Sequence, residues 1–370
     1  MTTVKLIAEL RERQVELWLE GDRLRYRAPE GGLTPELRSR LQEHRERIVE
    51  FLQSAREAVR SERAGIPRAP EGDLPLSFGQ SRLWFLQHLE PSNPSYNMPA
   101  VLRLEGELDL PVLEAALSLL VRRHEPLRTT FLLSGGRPVQ VVGAPAPIPI
   151  PAVDLSALPP AAREDELRRR TAGEARRPFD LKRGPILRLA LLRLGPAEHR
   201  LVVVTHHIAA DGLSIRIFFE ELAACYGALS RGEAPRLPDL PVRYADYAWW
   251  QQERFQGAAL AREVELWREW LAGAPELTEL PSDRPRPAAL SWRGGLAAVP
   301  LPRGLADRLM ALRRQAGVTS FMLFLAAWGT LLARSNGQSD LLVGSPVAGR
   351  LQEAVRDLIG FFVNTLVFRL

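Results

Sequence analysis

The chain has 370 residues, 46% of them hydrophobic and 25% charged, with a net charge of +5. That is enough for two or three domains with a sizeable core, and its interleaved acids and bases leave no basic stripe of the kind that binds nucleic acid. Cys225, the single cysteine, excludes an internal disulfide framework and a cysteine-based zinc site; no apolar stretch reaches the length of a bilayer span, and the charged N-terminus is no secretory signal, so a cytoplasmic protein is expected.

The first segment reads as a small unit of its own. Val4, Ile7 and Leu10 recur at helical spacing. Leu17 and Leu19, then Leu24 and Tyr26, alternate on either side of Gly21-Asp22, the pattern of a hairpin. Thr34 is a candidate N-cap with Pro35 at the first helical position, and Leu37, Leu41, Ile48 and Leu52 line one face of the helix that follows. A unit of about 55 residues is marginal alone and has little room for an active site, so binding is its expected task. Residues 56–73 turn polar and then rich in Pro and Gly, and read as a linker.

A mixed α/β region begins near Leu74. Strands are expected over "MPAVLRLEGEL", on both sides of Gly135-Gly136, and over the pair "ILRLALLRL" and "HRLVVVTHH". Helices are expected over "DLPVLEAALSLLVRRH", "AAREDELRRRTAGEARR", "LSIRIFFEELAACYGAL", "QQERFQGAALAREVELWREWLAG" and two later stretches. Further strands are expected over "RGGLAAVPL", "DLLVGSPVAGR" and "LIGFFVNTLVFRL". The last is apolar where a terminus is normally polar, which suggests a fragment of something longer.

Candidate chemistry centres on "VVVTHHIAADGLS", where an apolar strand runs into two histidines, a short turn and a helix. Neighbouring strand residues point to opposite faces, so His206 and His207 rarely share a metal, and the remaining histidines complete no ligand set; no metal is expected. Spacing alone leaves open whether the pair is hydrogen-bonded core or catalytic. Sites often lie where a rigid strand meets a loop and a helix. A histidine suits proton transfer near neutral pH. Asp211 can orient an imidazole or lock an arginine, and Gly212 permits close approach and leaves helix N-terminal amides open.

"HHIAADG" resembles the HHxxxDG motif of the condensation domains of nonribosomal peptide synthetases and of chloramphenicol acetyltransferase-like acyltransferases. Four further stretches resemble that family's other motifs in order: Ser77 to Pro99, "RHEPLRTTF" (Arg123 to Phe131), "YADYAWWQ" (Tyr244 to Gln251) and "IGFFVNT" (Ile359 to Thr365). The details are similar to the subclass that joins two L-configured residues. Residues 1 to about 55 resemble the TubC-type N-terminal docking domain.

The resemblance implies an α/β (α+β) fold: a chloramphenicol acetyltransferase-like, two-lobed condensation domain after a small α/β docking domain. The expected divisions are 1–55 (docking), 56–73 (linker), 74–245 (first lobe) and 246–370 (second lobe). The sixth and seventh family motifs are missing, so the second lobe is expected to be incomplete. The implied reaction joins a donor acyl or peptidyl thioester to an acceptor aminoacyl thioester. The chain itself would bind no cofactor or metal, because the phosphopantetheine arms belong to the partner carrier proteins upstream and downstream. The docking domain would receive the C-terminal tail of an upstream synthetase subunit; no nucleic acid or membrane is implied. His207 would act as general base or orient the amine, and His206 would be structural. Asp211 would pair with Arg128 or Arg123, Gly212 would keep the tunnel open and Asn364 would shape its floor. Tyr244, Asp246 and the Trp249-Trp250 pair would pack at the lobe junction. A noncatalytic docking fragment and a free-standing acyltransferase of the same superfamily are the alternatives.

Overall fold

A computed structural model describes residues 3–21, 23–29, 31–53, 65–278, 280–285 and 294–370. The chain forms two compact units, Met1–Pro67 with Arg254–Gly273, and Arg68–Glu253 with Ala274–Leu370.

The first unit opens with α1 (Thr3–Glu12), followed by the antiparallel hairpin β1 (Glu16–Glu20) and β2 (Arg23–Arg27). Gly21 takes a φ of 62° at the turn, a conformation that glycine adopts without a Cβ penalty; Asp22 lies outside the described residues. Thr34 caps α2 (Pro35–Glu43), its hydroxyl accepting from Leu37 N–H at 3.3 Å. The chain turns at His44 and is helical again over 45–53 (α3). Leu6, Leu10, Val15, Leu37, Leu41 and Ile48 form the core. The buried pair on α1 is therefore Leu6 and Leu10, with Ile7 at the margin. Val4 lies outside the described side chains. Of the expected linker, 56–64 lies outside the described residues, whereas Ala69 is buried and donates its N–H to Asp246.

The second unit runs β3 (Leu74–Pro75), α4 (Phe78–Leu89), β4 (Asn97–Glu105), α5 (Leu110–Arg123), β5 (Thr129–Ser134), β6 (Arg137–Val142), β7 (Ala152–Asp154), α6 (Pro160–Arg176), β8 (Leu187–Gly195), β9 (Glu198–His206) and α7 (Gly212–Ser230). Next come α8 (Tyr244–Arg254) and α9 (Gly257–Leu271); the latter clusters with the first unit, where Arg47 donates to Glu269 at 3.0 Å. The second unit ends with α10 (Arg303–Ala316), α11 (Ser320–Asn336), β10 (Leu342–Val347) and β11 (Asn364–Arg369).

A four-stranded sheet of order β4-β9-β8-β7 is the centre of this unit, antiparallel except for the β7–β8 pair. Side chains alternate along its strands, so each face has its own core. Leu189, Leu191, Leu201 and Val203 pack against Leu117 and Leu120 of α5 and Phe218 and Leu222 of α7. Leu192, Leu194, Val202 and Val204 face the other way, toward Leu83 of α4, Phe179 and Phe361. The expected strand in "RGGLAAVPL" does not form: residues 294–301 make no ladder, and Leu296 and Val299 are exposed. Its apolar alternation has no neighbouring strand to pair with among the described residues.

Candidate active site

β9 ends at His206, and the chain turns through Ile208, Ala209 and Ala210 before Asp211 caps α7. His206 is fully buried. Its Nδ1 accepts from Ile208 N–H at 3.1 Å, so the ring proton sits on Nε2. Tyr96 and Phe179 flank the ring at 6.2 and 5.9 Å between centroids. Burial, with the nearby His207 and Arg188, pushes this imidazole down to about 3, so it is neutral at physiological pH.

His207 is only half-buried. Its backbone N–H donates to Tyr96 O at 2.8 Å, and its Nδ1 lies 2.8 Å from Ala210 O. A carbonyl oxygen only accepts, so Nδ1 carries the proton. Nε2 then holds the lone pair, and among the described residues nothing bonds to it. This is the tautomer a general base needs. The ring of Phe361 meets the imidazole edge-on, 5.0 Å between centroids at 70°.

Asp211 is also buried. One carboxylate oxygen accepts from Ser214 N–H (2.9 Å), Ser214 Oγ (2.8 Å) and Arg350 Nη2 (3.0 Å), and the other accepts from Phe362 N–H at 3.2 Å. The ion pair is thus made with Arg350, which corrects the expectation of Arg128 or Arg123. The reason lies in where those two arginines are held. Arg128 donates to the carbonyls of Val121, Gly143 and Arg122. Arg123 reaches Glu221 at 3.2 Å and Pro238 O at 2.5 Å. Arg350 spends one nitrogen on the carbonyls of Val355, Arg356 and Leu358, and its guanidinium lies 4.1 Å from the Phe362 ring centre.

Gly212 is exposed, and a Cβ there would meet nothing within 4 Å. Asn364 is exposed at the start of β11, its side chain accepting from Thr365 N–H. Tyr244 is buried; its hydroxyl donates to Phe361 O at 2.6 Å and lies 2.9 Å from Ser77 Oγ. Burial pushes that hydroxyl well above its ordinary pKa. Gly360 packs flat on Tyr244: a Cβ there would collide with its ring. Asp246 is buried and paired with Arg243 at 2.7 Å, while Trp249 and Trp250 are half-buried. Residues that sequence reasoning did not single out complete the centre: Ser214, Arg350, Phe361, Phe362, and a buried His124 whose Nε2 lies 2.7 Å from Glu221. Arg350 is 139 positions from Asp211, and no spacing signal connects them.

Comparison with known proteins gives this centre its context. The family model for the condensation domain matches residues 70–370, which include every residue of the centre. The chain belongs to the condensation domain family. Ahead of this condensation domain, residues 4–54 match the TubC N-terminal docking domain. The condensation domain is homologous to parts of nonribosomal peptide synthetases. Chondramide synthase cmdD of Chondromyces crocatus is 46% identical over 301 residues, 81% of this chain and 8% of that protein. Phosphinothricin tripeptide synthetase PhsC of Streptomyces viridochromogenes is 42% identical over 306 residues, 82% of this chain and 28% of that protein. Among solved structures, the X-domain from teicoplanin biosynthesis matches with a TM-score of 0.73 at 35% identity, over 82% of this chain and 66% of its own. A condensation domain from the enacyloxin polyketide synthase, described as mediating chain release, matches with a TM-score of 0.76 at 27% identity, over 100% of this chain and 71% of its own. The chain thus spans a small part of the curated relatives it matches. These neighbours share the chloramphenicol acetyltransferase-like two-lobed α/β fold expected from the motifs.

Proposed function

We propose that the condensation domain forms an amide bond between a donor acyl or peptidyl thioester and an acceptor aminoacyl thioester. Both are presented on phosphopantetheine arms by partner carrier proteins. The acceptor amine attacks the donor carbonyl, the carbon–nitrogen bond forms through a tetrahedral intermediate, and the carbon–sulfur bond breaks. The proton lost by the amine ends on the departing thiol. His207 is the catalytic residue: its Nε2 takes that proton or holds the amine in line. The observation that carries this reading is the Nδ1 contact to Ala210 O, which sets the tautomer and leaves Nε2 unengaged. His206 and Asp211 hold the strand end and the helix cap that place it.

The docking domain takes the C-terminal tail of an upstream synthetase subunit. Its support is a concavity of about 900 Å³ walled by α1, β1 and the end of α3, beside a two-stranded hairpin with free edges among the described residues. The divisions 1–55, 56–73, 74–245 and 246–370 remain our proposal for docking domain, linker and two lobes, and a cytoplasmic setting suits the partners. No single described helix is long and apolar enough to cross a bilayer.

The test is His207→Ala with loaded upstream and downstream carriers, measured as dipeptidyl-carrier formation. Loss of product from a protein that keeps its wild-type circular dichroism is expected. A wild-type rate would overturn the assignment of His207 as the catalytic residue.

A further inference from the structure

Residues 359–362 are pinned, residue by residue, by side chains from elsewhere. Ile359 N–H donates to His124 Nδ1 at 3.4 Å, and His124 is held on its other nitrogen by Glu221 at 2.7 Å. Gly360 N–H donates to Ser214 Oγ at 3.1 Å. Phe361 O accepts from Tyr244 OH at 2.6 Å, and Phe362 N–H donates to Asp211 at 3.2 Å. Four successive backbone groups are thus fixed by α5's C-cap residue and by residues at or near the starts of α7 and α8. One large side chain leaves this strap toward the candidate catalytic histidine: Phe361, 4% exposed and edge-on to the His207 ring. The same ring meets Gly79, in the first turn of α4, where an added Cβ would stand 2.8 Å from Phe361 Cε1. The phenyl ring thus touches both a glycine and the imidazole.

We infer that Phe361 is a positioning residue for His207, with Gly79 as its seat and the pinned strap as its mount. The torsion about a histidine's Cβ–Cγ bond is intrinsically broad. A half-buried imidazole with one hydrogen bond has room to swing or to turn over, which would bring carbon rather than Nδ1 to Ala210 O. The edge of Phe361 closes that room, so Nδ1–H stays on the carbonyl and Nε2 keeps its lone pair toward the reactants. Gly79 has a helical backbone that alanine adopts freely, so the want of space beside Phe361 is what an alanine there would violate.

This inference rests on the amide-forming reading of His207, and its test separates the two. Gly79→Ala crowds the phenyl ring; Phe361→Leu removes it. Both are made in the full chain and assayed with loaded carriers. His207 is followed by the imidazole nitrogen signals of the ¹⁵N-histidine-labelled protein. The expected result is a kcat lowered about 10- to 100-fold with KM for the acceptor held within about twofold, as for a misplaced catalytic group. The His207 signals should move from a single Nδ1–H tautomer toward a mixture. Folded variants that keep the wild-type His207 signals, or that change them without lowering kcat, overturn the positioning role. If His207→Ala itself proceeds at the wild-type rate, the catalytic reading of His207 falls, and the nitrogen signals still decide whether Phe361 sets the ring. Should one variant fail to fold, the other decides, because one crowds the phenyl ring and the other removes it.

Discussion

The partner of Asp211 is the sharpest point at which the structure can be challenged. Arg350→Met keeps an unbranched stem beside Phe362 and removes the charge. Both side chains of the pair are nearly inaccessible, 5% for Arg350 and 1% for Asp211, so solvent does little to soften the loss. Removing one partner of a buried ion pair costs about 3–5 kcal/mol, because the other charge stays behind. The carbonyls of Val355, Arg356 and Leu358 lose a donor as well, which adds to the loss. About 4 kcal/mol is therefore expected, or roughly 10 °C in thermal midpoint at a few degrees per kcal/mol. Arg350→Lys should recover only part, since one ammonium cannot serve both the carboxylate and the three carbonyls that the guanidinium fork spans. The decisive assay is a pair of double-mutant cycles read by urea unfolding, Arg350→Met with Asp211→Asn and Arg128→Met with Asp211→Asn. Coupling of about 2–3 kcal/mol is expected in the first cycle and under about 0.5 in the second. A larger coupling for Arg128 would refute the assignment of the ion pair.

Two further outcomes follow from the same geometry. The unfolded chain protonates His206 near its ordinary value of about 6.5, whereas the folded chain holds it neutral down to about 3, so acid favours the unfolded state between these values. Stability present above pH 6.5 is lost toward pH 3; from pH 7 to 5 the wild type should lose about 2 kcal/mol more than His206→Asn in urea titrations, and equal losses would show that burial does not hold the proton off. In the docking domain, Trp18 is 41% exposed on the wall of the 900 Å³ concavity, with Arg27 6.0 Å over its ring. Trp18→Ala should weaken binding of a C-terminal peptide from the upstream partner by about tenfold, as measured by calorimetry, while the thermal midpoint of the unit stays put; unchanged affinity would move the docking surface elsewhere.

What the sequence made legible was local. The strands expected over "ILRLALLRL" and "HRLVVVTHH" form as β8 and β9, and their pleat divides side chains between α5 and α7 on one face and Phe179 and Phe361 on the other. Thr34 before Pro35 announced a helix start that its hydroxyl does cap. Hairpin turns at Gly21 and at Gly135-Gly136 followed from residues that accept a positive φ. Partners distant in sequence were not legible. Arg123 and Arg128 were reasonable choices for Asp211 on motif order alone, yet each is engaged by groups that no spacing rule reveals, and Arg350 carries no mark of its role.

The apolar run "LIGFFV" shows why. By composition it reads as a strand, and the ladder of β11 begins only at Asn364. A buried backbone must find partners for its N–H and C=O groups. Here the partners are side chains: His124 for Ile359, Ser214 for Gly360, Tyr244 for Phe361 and Asp211 for Phe362. Those four residues belong to or sit beside the separate motifs "RHEPLRTTF", "HHIAADG" and "YADYAWWQ", and the strap belongs to "IGFFVNT". Ser77, from the first motif, closes the set through Tyr244. The motifs are therefore not independent signatures of one family. They are the donors and acceptors of a single stretch of backbone, and that shared demand accounts for a polar residue at each of these places, where the surrounding core would otherwise favour an apolar one.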